Sequence, residues 1–193
     1  MRRSASGFTL VDLVVVMAIL GLLAALTAPA LQTFLVRAKI ETFSRDLASL
    51  VRQTRIESIK RSQPGVLLVN ALNGRSLAFI DENENAAYDD GETLLARLNM
   101  PGGLSYDAPD GELVIAGFDT SGDTGWASFT TDGSVEREGA FRFMDGRGNA
   151  MELRIAPAAT AKIRVRKWNE DLEVMDGSHW YGDGEGGEPW TWE

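Results

Sequence analysis

The chain has 193 residues, 44% of them hydrophobic and 24% charged, with 19 basic against 28 acidic side chains and a formal net charge of −9. That size suits one globular domain of ordinary core plus an apolar segment, and the acidic balance disfavours non-specific nucleic-acid binding by the surface as a whole. With no cysteine and a single histidine, His179, thiol catalysis and disulfide bracing are excluded. No nucleophile has an evident neighbouring base, so the chain reads as a non-enzyme.

Residues 1–7 form a short basic leader containing Arg2 and Arg3. From Phe8 to Leu31 the only interruptions of an apolar run are Thr9, Asp12, Gly21, Thr27 and Pro29. A helix of that length spans about 36 Å, enough to cross a bilayer. A secretory signal peptide cleaved after Ala30 at Ala28-Pro29-Ala30 and a plain membrane anchor both fit the leader and the run, while the residues flanking Arg2-Arg3 match a twin-arginine signal poorly. None of them accounts for Asp12, since a carboxylate in a membrane-length helix is costly and reads as a functional group with a partner.

Gly7-Phe8-Thr9-Leu10-Val11-Asp12 resembles the prepilin processing motif of type IV pilins and type II secretion pseudopilins. The resemblance implies cleavage by a prepilin peptidase between Gly7 and Phe8, N-methylation of Phe8, and assembly through Phe8, Thr9, Asp12 and Pro29. The family's acid at the Asp12 position is usually glutamate, so here the charge is kept on a side chain one methylene shorter. The implied role is pairing with the new Phe8 amine of a neighbouring subunit, which would lower the cost of a lone charge in lipid; the alternative is that Asp12 snorkels to the membrane surface. Pro29 lacks an amide donor and disfavours helix at Ala28, so it is expected to kink, soften or end the helix.

Beyond Pro29, Val36, Ile40, Phe43, Leu47, Leu50 and Thr54 recur at alternating steps of four and three, the signature of an amphipathic helix. Ser62-Gln63-Pro64-Gly65 supplies its stop. Residues 8–31 are thus the membrane and assembly half of one long helix and residues 32–62 its amphipathic half.

Residues 63–168 read as a β-rich domain. Strands are expected at Val66 to Asn70, Ser76 to Asp81, Thr93 to Leu98, Glu112 to Ala116, Trp126 to Thr130, Ala140 to Asp145, Ala150 to Ala156 and Lys162 to Lys167. Turn pairs such as Asn73-Gly74, Asp90-Gly91, Asp132-Gly133 and Asp145-Gly146 separate them. The expected fold is α+β, a long N-terminal helix packed on an antiparallel β-sheet domain. Ala78 to Asn85, Asp90 to Leu95 and Phe129 to Ser134 are similar to the acidic hairpin and the aromatic strand of GspH and FimT-type minor pilins and pseudopilins. That resemblance implies a minor structural subunit of a type IV pilus or a type II secretion pseudopilus. It would be anchored once in a bacterial inner membrane, with its β domain periplasmic or extracellular, among other pilin or pseudopilin subunits. Residues 169–193, with eight acids and no lysine or arginine, form an acidic, Trp-rich and Gly-rich tail. Poor order is expected of it, although its tryptophans offer anchors to a sheet or partner.

Two further clusters carry candidate chemistry. Asp81, Asn83, Asn85, Asp89 and Glu92 repeat the ligand spacing of a twelve-residue calcium loop, with Ala86 where the sharp turn wants glycine. The plainer reading is a solvated hairpin whose Asp and Asn side chains bond their own backbone. Lys162, Arg164, Arg166 and Lys167 near Trp168 offer a stripe for phosphates, as in DNA-capturing minor pilins of competence pili; charge neutralisation against the acidic tail just beyond is the favoured reading. A secreted calcium-binding β protein cleaved after Ala30 is the remaining alternative.

Overall fold

The computed structural model describes residues 10–171 and 179–182, leaving out the side chains of residues 28–30 and 33. One helix, α1 (Leu10–Arg61), leads into β1 (Gly65–Asn70), β2 (Arg75–Ile80), β3 (Leu94–Asn99) and β4 (Leu104–Ser105). Then follow β5 (Ile115–Ala116), β6 (Asp119–Ser121), β7 (Thr124–Phe129), β8 (Gly139–Asp145), β9 (Ala150–Ile155), β10 (Ile163–Trp168) and β11 (Trp180–Gly182). Residues up to Ala38 form one compact unit and those from Lys39 another.

In the first unit, Leu10–Thr27 is long and apolar enough to cross a membrane and none of it is buried. Thr27 does not break that character, because its hydroxyl donates to the carbonyls of Leu23 at 3.1 Å and Ala24 at 3.2 Å. A hydroxyl satisfied within its own helix adds little cost in lipid. The helix does not end at Pro29 as one reading of the sequence had it; helical backbone continues through that position.

In the second unit, α1 buries the stripe read from its spacing, with Ile40, Phe43, Leu47, Leu50, Val51 and Thr54 all inside. Its end follows the residues expected. Ser62 takes a left-handed φ of 51°, and the amides of Ser62 and Gln63 donate back to Ile59 and Ser58 at 3.3 and 3.2 Å. This is a Schellman-type stop, after which Pro64 cannot continue the helix.

The strands form two antiparallel sheets, in keeping with the expected antiparallel β domain. A five-stranded sheet has the order β3-β2-β1-β7-β6, and a second has the order β11-β10-β9-β8-β4, with β5 also on β8. Both contribute to one core, in which Phe43 of α1 meets Phe143 of β8 edge to face at 5.1 Å and Tyr106 at 6.0 Å. Leu67, Val69, Ala127 and Phe129 come from the first sheet; Phe141, Met151, Leu153 and Ile155 come from the second. Tyr106 donates to or accepts from Ser76 at 2.6 Å, and burial pushes its hydroxyl pKa up despite that bond.

Eight expected strands are present within a residue or two of their bounds, except that Glu112 to Ala116 shortens to β5. The paired stretch is confined to Ile115–Ala116, although the Val114 carbonyl just before it still accepts from the Arg142 amide of β8 at 2.9 Å. Strands β4, β6 and β11 were not expected. The last of these lies in the tail, where Trp180 pairs with Trp168 and is 1% exposed, so that part of the tail is anchored by an aromatic residue.

Candidate functional site

Gly7, Phe8 and Thr9 lie outside the described residues. Asp12 stands in the first turn of α1 and is exposed, flanked by Leu10, Val11, Leu13 and Val14, each more than half exposed. The unsatisfied amides and positive dipole end of a helix start favour a carboxylate there. What the geometry offers is an apolar rod with one acid at its beginning, a surface that water does not stabilise and that lipid or other helices would cover.

The basic cluster divides. Lys162 and Arg164 are exposed, whereas Arg166 and Lys167 are 4% and 1% exposed. Alternation along β10 sends Arg166 to the face turned away from α1 and Lys167 to the face toward it. Lys167 meets Glu41 of α1 at 3.4 Å. Arg166 meets Glu152 of β9 through Nε at 2.6 Å and NH2 at 2.5 Å, and the other oxygen of Glu152 accepts from Arg142 Nε of β8 at 3.0 Å. The strand register explains this row, since Arg142 and Arg166 both stand directly opposite Glu152. The alternative of one basic stripe for phosphate is therefore corrected: two of its four cations are taken up by carboxylates on neighbouring elements, the buried Glu152 and the partly exposed Glu41. Neutralisation is the outcome, but its agents are Glu152 and Glu41, where the sequence suggested the acidic tail.

Arg142 is further held by Glu112 at 2.5 Å and by the Leu113 carbonyl at 2.8 Å, and its guanidinium lies 5.0 Å from the Trp180 ring centre. Trp180 of β11 thus roofs the row. Glu152, Arg142 and Trp180 were missed in the sequence. The available signal was a charged residue within each of three successive strands, Arg142, Glu152 and Arg166, but it needs the register to become a contact.

The acidic loop does bring its five residues together. Asp89 accepts from the side-chain amides of Asn83 and Asn85, both at 2.8 Å, and these bonds, Asn83 first, hold its carboxyl below the usual range. Asp81, 3% exposed, accepts from the amides of Asn85 at 3.2 Å and Ala86 at 2.8 Å. Glu92 accepts from the amides of Glu82 and Asp89 at 3.1 and 3.0 Å. The oxygens counted as ligands are thus bonded within the loop. Among the described residues no group of three or more His, Cys, Asp or Glu side chains is placed to hold a metal ion. Asp81→Ala is expected to cost about 1–3 kcal/mol by orphaning two amides, read from denaturant unfolding. Added calcium is expected to leave the thermal midpoint of the parent chain unchanged, and a clear rise would show the ion displacing the asparagine amides.

The turn after Phe129 fastens the first sheet to α1. Gly133 and Thr130 carbonyls accept from Arg55 Nε at 2.7 Å and Ser58 Oγ at 3.2 Å. At Gly133, with φ +82°, an added Cβ would meet Ile59 Cδ1 at 2.6 Å, so only glycine fits this approach. Asp132 organises the turn by accepting from the Thr130 hydroxyl and from Ser134 Oγ and N at 2.7 and 2.9 Å. These bonds, the Thr130 bond foremost, lower its pKa to about 2 from 3.8. A depressed carboxylate stabilises the fold above its unfolded pKa and loses that effect as pH falls through its folded one. The advantage of the parent chain over Asp132→Asn is therefore expected to be constant above about pH 4 and gone by about pH 2, as measured by unfolding midpoints.

Comparison with known proteins adds two family matches. The family described as type II transport protein GspH matches residues 44–161, and the prokaryotic N-terminal methylation motif matches residues 2–28. The pilin-like protein PilA1 of Thermus thermophilus is 37% identical over 87 residues, 45% of this chain and 54% of its own length. The chain thus spans about half of that curated relative. Among solved structures, the minor pseudopilin EpsH from the type 2 secretion system of Vibrio cholerae has a TM-score of 0.47 at 9% identity, covering 66% of this chain and 95% of its own. The type IV minor pilin FimU of Pseudomonas aeruginosa has a TM-score of 0.47 at 11% identity, covering 72% and 95%. With the GspH match running from the buried stretch of α1 through β9, and the methylation motif spanning the leader and the apolar helix, the chain belongs to the GspH family.

Proposed function

We propose that this chain is a minor pilin or pseudopilin, a structural subunit of a type IV pilus or a type II secretion pseudopilus with no catalysis of its own. The observation that carries the reading is one unburied apolar helix, Leu10–Thr27, that begins with Asp12 inside a methylation motif and continues into a GspH domain. The chain would insert into the inner membrane through that helix, with the β domain on the periplasmic side. A prepilin peptidase would cut between Gly7 and Phe8 and Phe8 would be methylated. Loss of two arginines with the leader would take the formal side-chain charge from −9 to −11.

The new Phe8 amine is then the natural counterion for Asp12 of the adjacent subunit. Two charges at the edge of lipid are each expensive alone, and a staggered neighbour satisfies both at once. Deleting the prepilin peptidase is expected to leave the chain at full length in the membrane and absent from sheared filaments. Its appearance in filaments of such a strain would contradict the reading.

A further inference from the structure

The face of the five-stranded sheet turned away from α1 carries a concave cavity of about 510 Å³. Register builds it: Leu68, Leu77 and Arg97 stand in one row across β1, β2 and β3, and Asn70, Arg75 and Asn99 in the next. The two leucines form an apolar floor, and Arg75 and Arg97 are diagonal neighbours above it, close enough for one extended ligand to meet both. These arginines are exposed, and among the described residues neither side chain has an acidic partner. Two other strand arginines, Arg142 and Arg166, do find an acid, in Glu152.

Beside the cavity lies an open edge. β3 ends its sheet, and among the described residues no strand pairs its outer side. Its leucines, Leu94, Leu95 and Leu98, are only half-buried, and Arg97 is the one charge along it. An unpaired, leucine-rich edge with a single charge is a template for another strand. A strand added there would place alternate side chains on the cavity face, next to Arg97 and within reach of Arg75.

We propose that β3 and this cavity form a docking site for an extended acidic segment of another protein, held by main-chain pairing along Leu94–Asn99 and by carboxylates on Arg97 and Arg75. Charge complementarity selects the occupant: bidentate guanidinium pairs favour carboxylates, and a basic or neutral strand would leave both arginines unanswered. The site is separate from the Asp12 helix and goes beyond filament assembly through α1.

The test uses the full chain in detergent micelles and a synthetic peptide that alternates valine and glutamate, with a valine and glutamine version as control. The glutamate peptide is expected to bind, to weaken with added salt, and to slow hydrogen exchange at the Leu94–Asn99 amides. Arg75→Gln with Arg97→Gln, which keep size and fold, are expected to weaken the glutamate peptide by about tenfold or more and leave the control unchanged. Equal binding of the two peptides, no binding of either, or binding without protection of β3 would overturn the proposal. Self-association of the free chain that Arg97→Glu abolishes would assign the edge to a second copy and overturn the assignment to a different protein.

Discussion

Asp12→Ala is expected to leave the chain in the membrane while removing it from filaments. The apolar run Leu10–Thr27 loses nothing by the change, and insertion becomes easier, because a charge within a membrane helix costs about 2.5–3.5 kcal/mol at the bilayer centre. Assembly loses the counterion for the neighbouring Phe8 amine. Breaking a desolvated pair by removing one partner costs about 3–5 kcal/mol, and each 1.4 kcal/mol is about tenfold in an equilibrium. Incorporation, measured by immunoblotting sheared filaments against the membrane pool, should fall by at least about tenfold. Asp12→Glu, which restores the commoner acid of the resembling proteins, should assemble at least as well as the parent. Undiminished incorporation of Asp12→Ala would remove the pairing role while leaving the membrane anchor intact.

The second large effect lies in the β domain. Glu152, fully buried, is the one carboxylate between Arg142 at 3.0 Å and Arg166 at 2.6 Å. Glu152→Gln keeps its shape and removes its charge, leaving two buried guanidinium groups to repel each other. The expected loss is about 3–5 kcal/mol, or a fall in thermal midpoint of roughly 10 °C for a domain of this size. Replacing the row together, Arg142→Met, Glu152→Leu and Arg166→Met, should cost much less, because no charge is left buried between the strands and Glu112, which loses Arg142, is partly exposed to water. If Glu152→Gln matched the triple variant in stability, the row would be electrostatically idle. The C-terminal strand should loosen with it, since Arg166 donates to the Trp180 carbonyl at 3.4 Å and Arg142 lies against the Trp180 ring.

Much of this was legible in the residues because the signals were local. The four-and-three spacing of Ile40, Phe43, Leu47 and Leu50 is a property of one helix, and those side chains are buried. The Ser62-Gln63-Pro64 stop and the Asn73-Gly74 and Asp132-Gly133 turns act over a few bonds, and they bracket α1 and the strands beside them. The features that escaped depend on long-range register. Arg164 and Arg166 alternate onto one face as expected, yet nothing local says that Glu152 stands opposite Arg166. The stripe weighed as a phosphate grip is in part a closed ion row for that reason. Strand β11 escaped because composition averages over a window: eight acids conceal that Trp180 and Tyr181 need burial. Strands β6, which extends the first sheet, and β4, at the edge of the second, escaped because they are short strands in turn-rich sequence, set by the partners β7 and β8 supply. The cavity under Arg75 and Arg97 is likewise a product of pairing across three strands.

The central claim, that Asp12 meets a freshly made amine, is tested most directly by the N-terminus of the protein recovered from cell envelopes. Edman sequencing or intact mass is expected to show a chain that begins at methylated Phe8, shorter by residues 1–7. A population that begins wholly at Met1, or at Leu31 after signal-peptide cleavage, would contradict it.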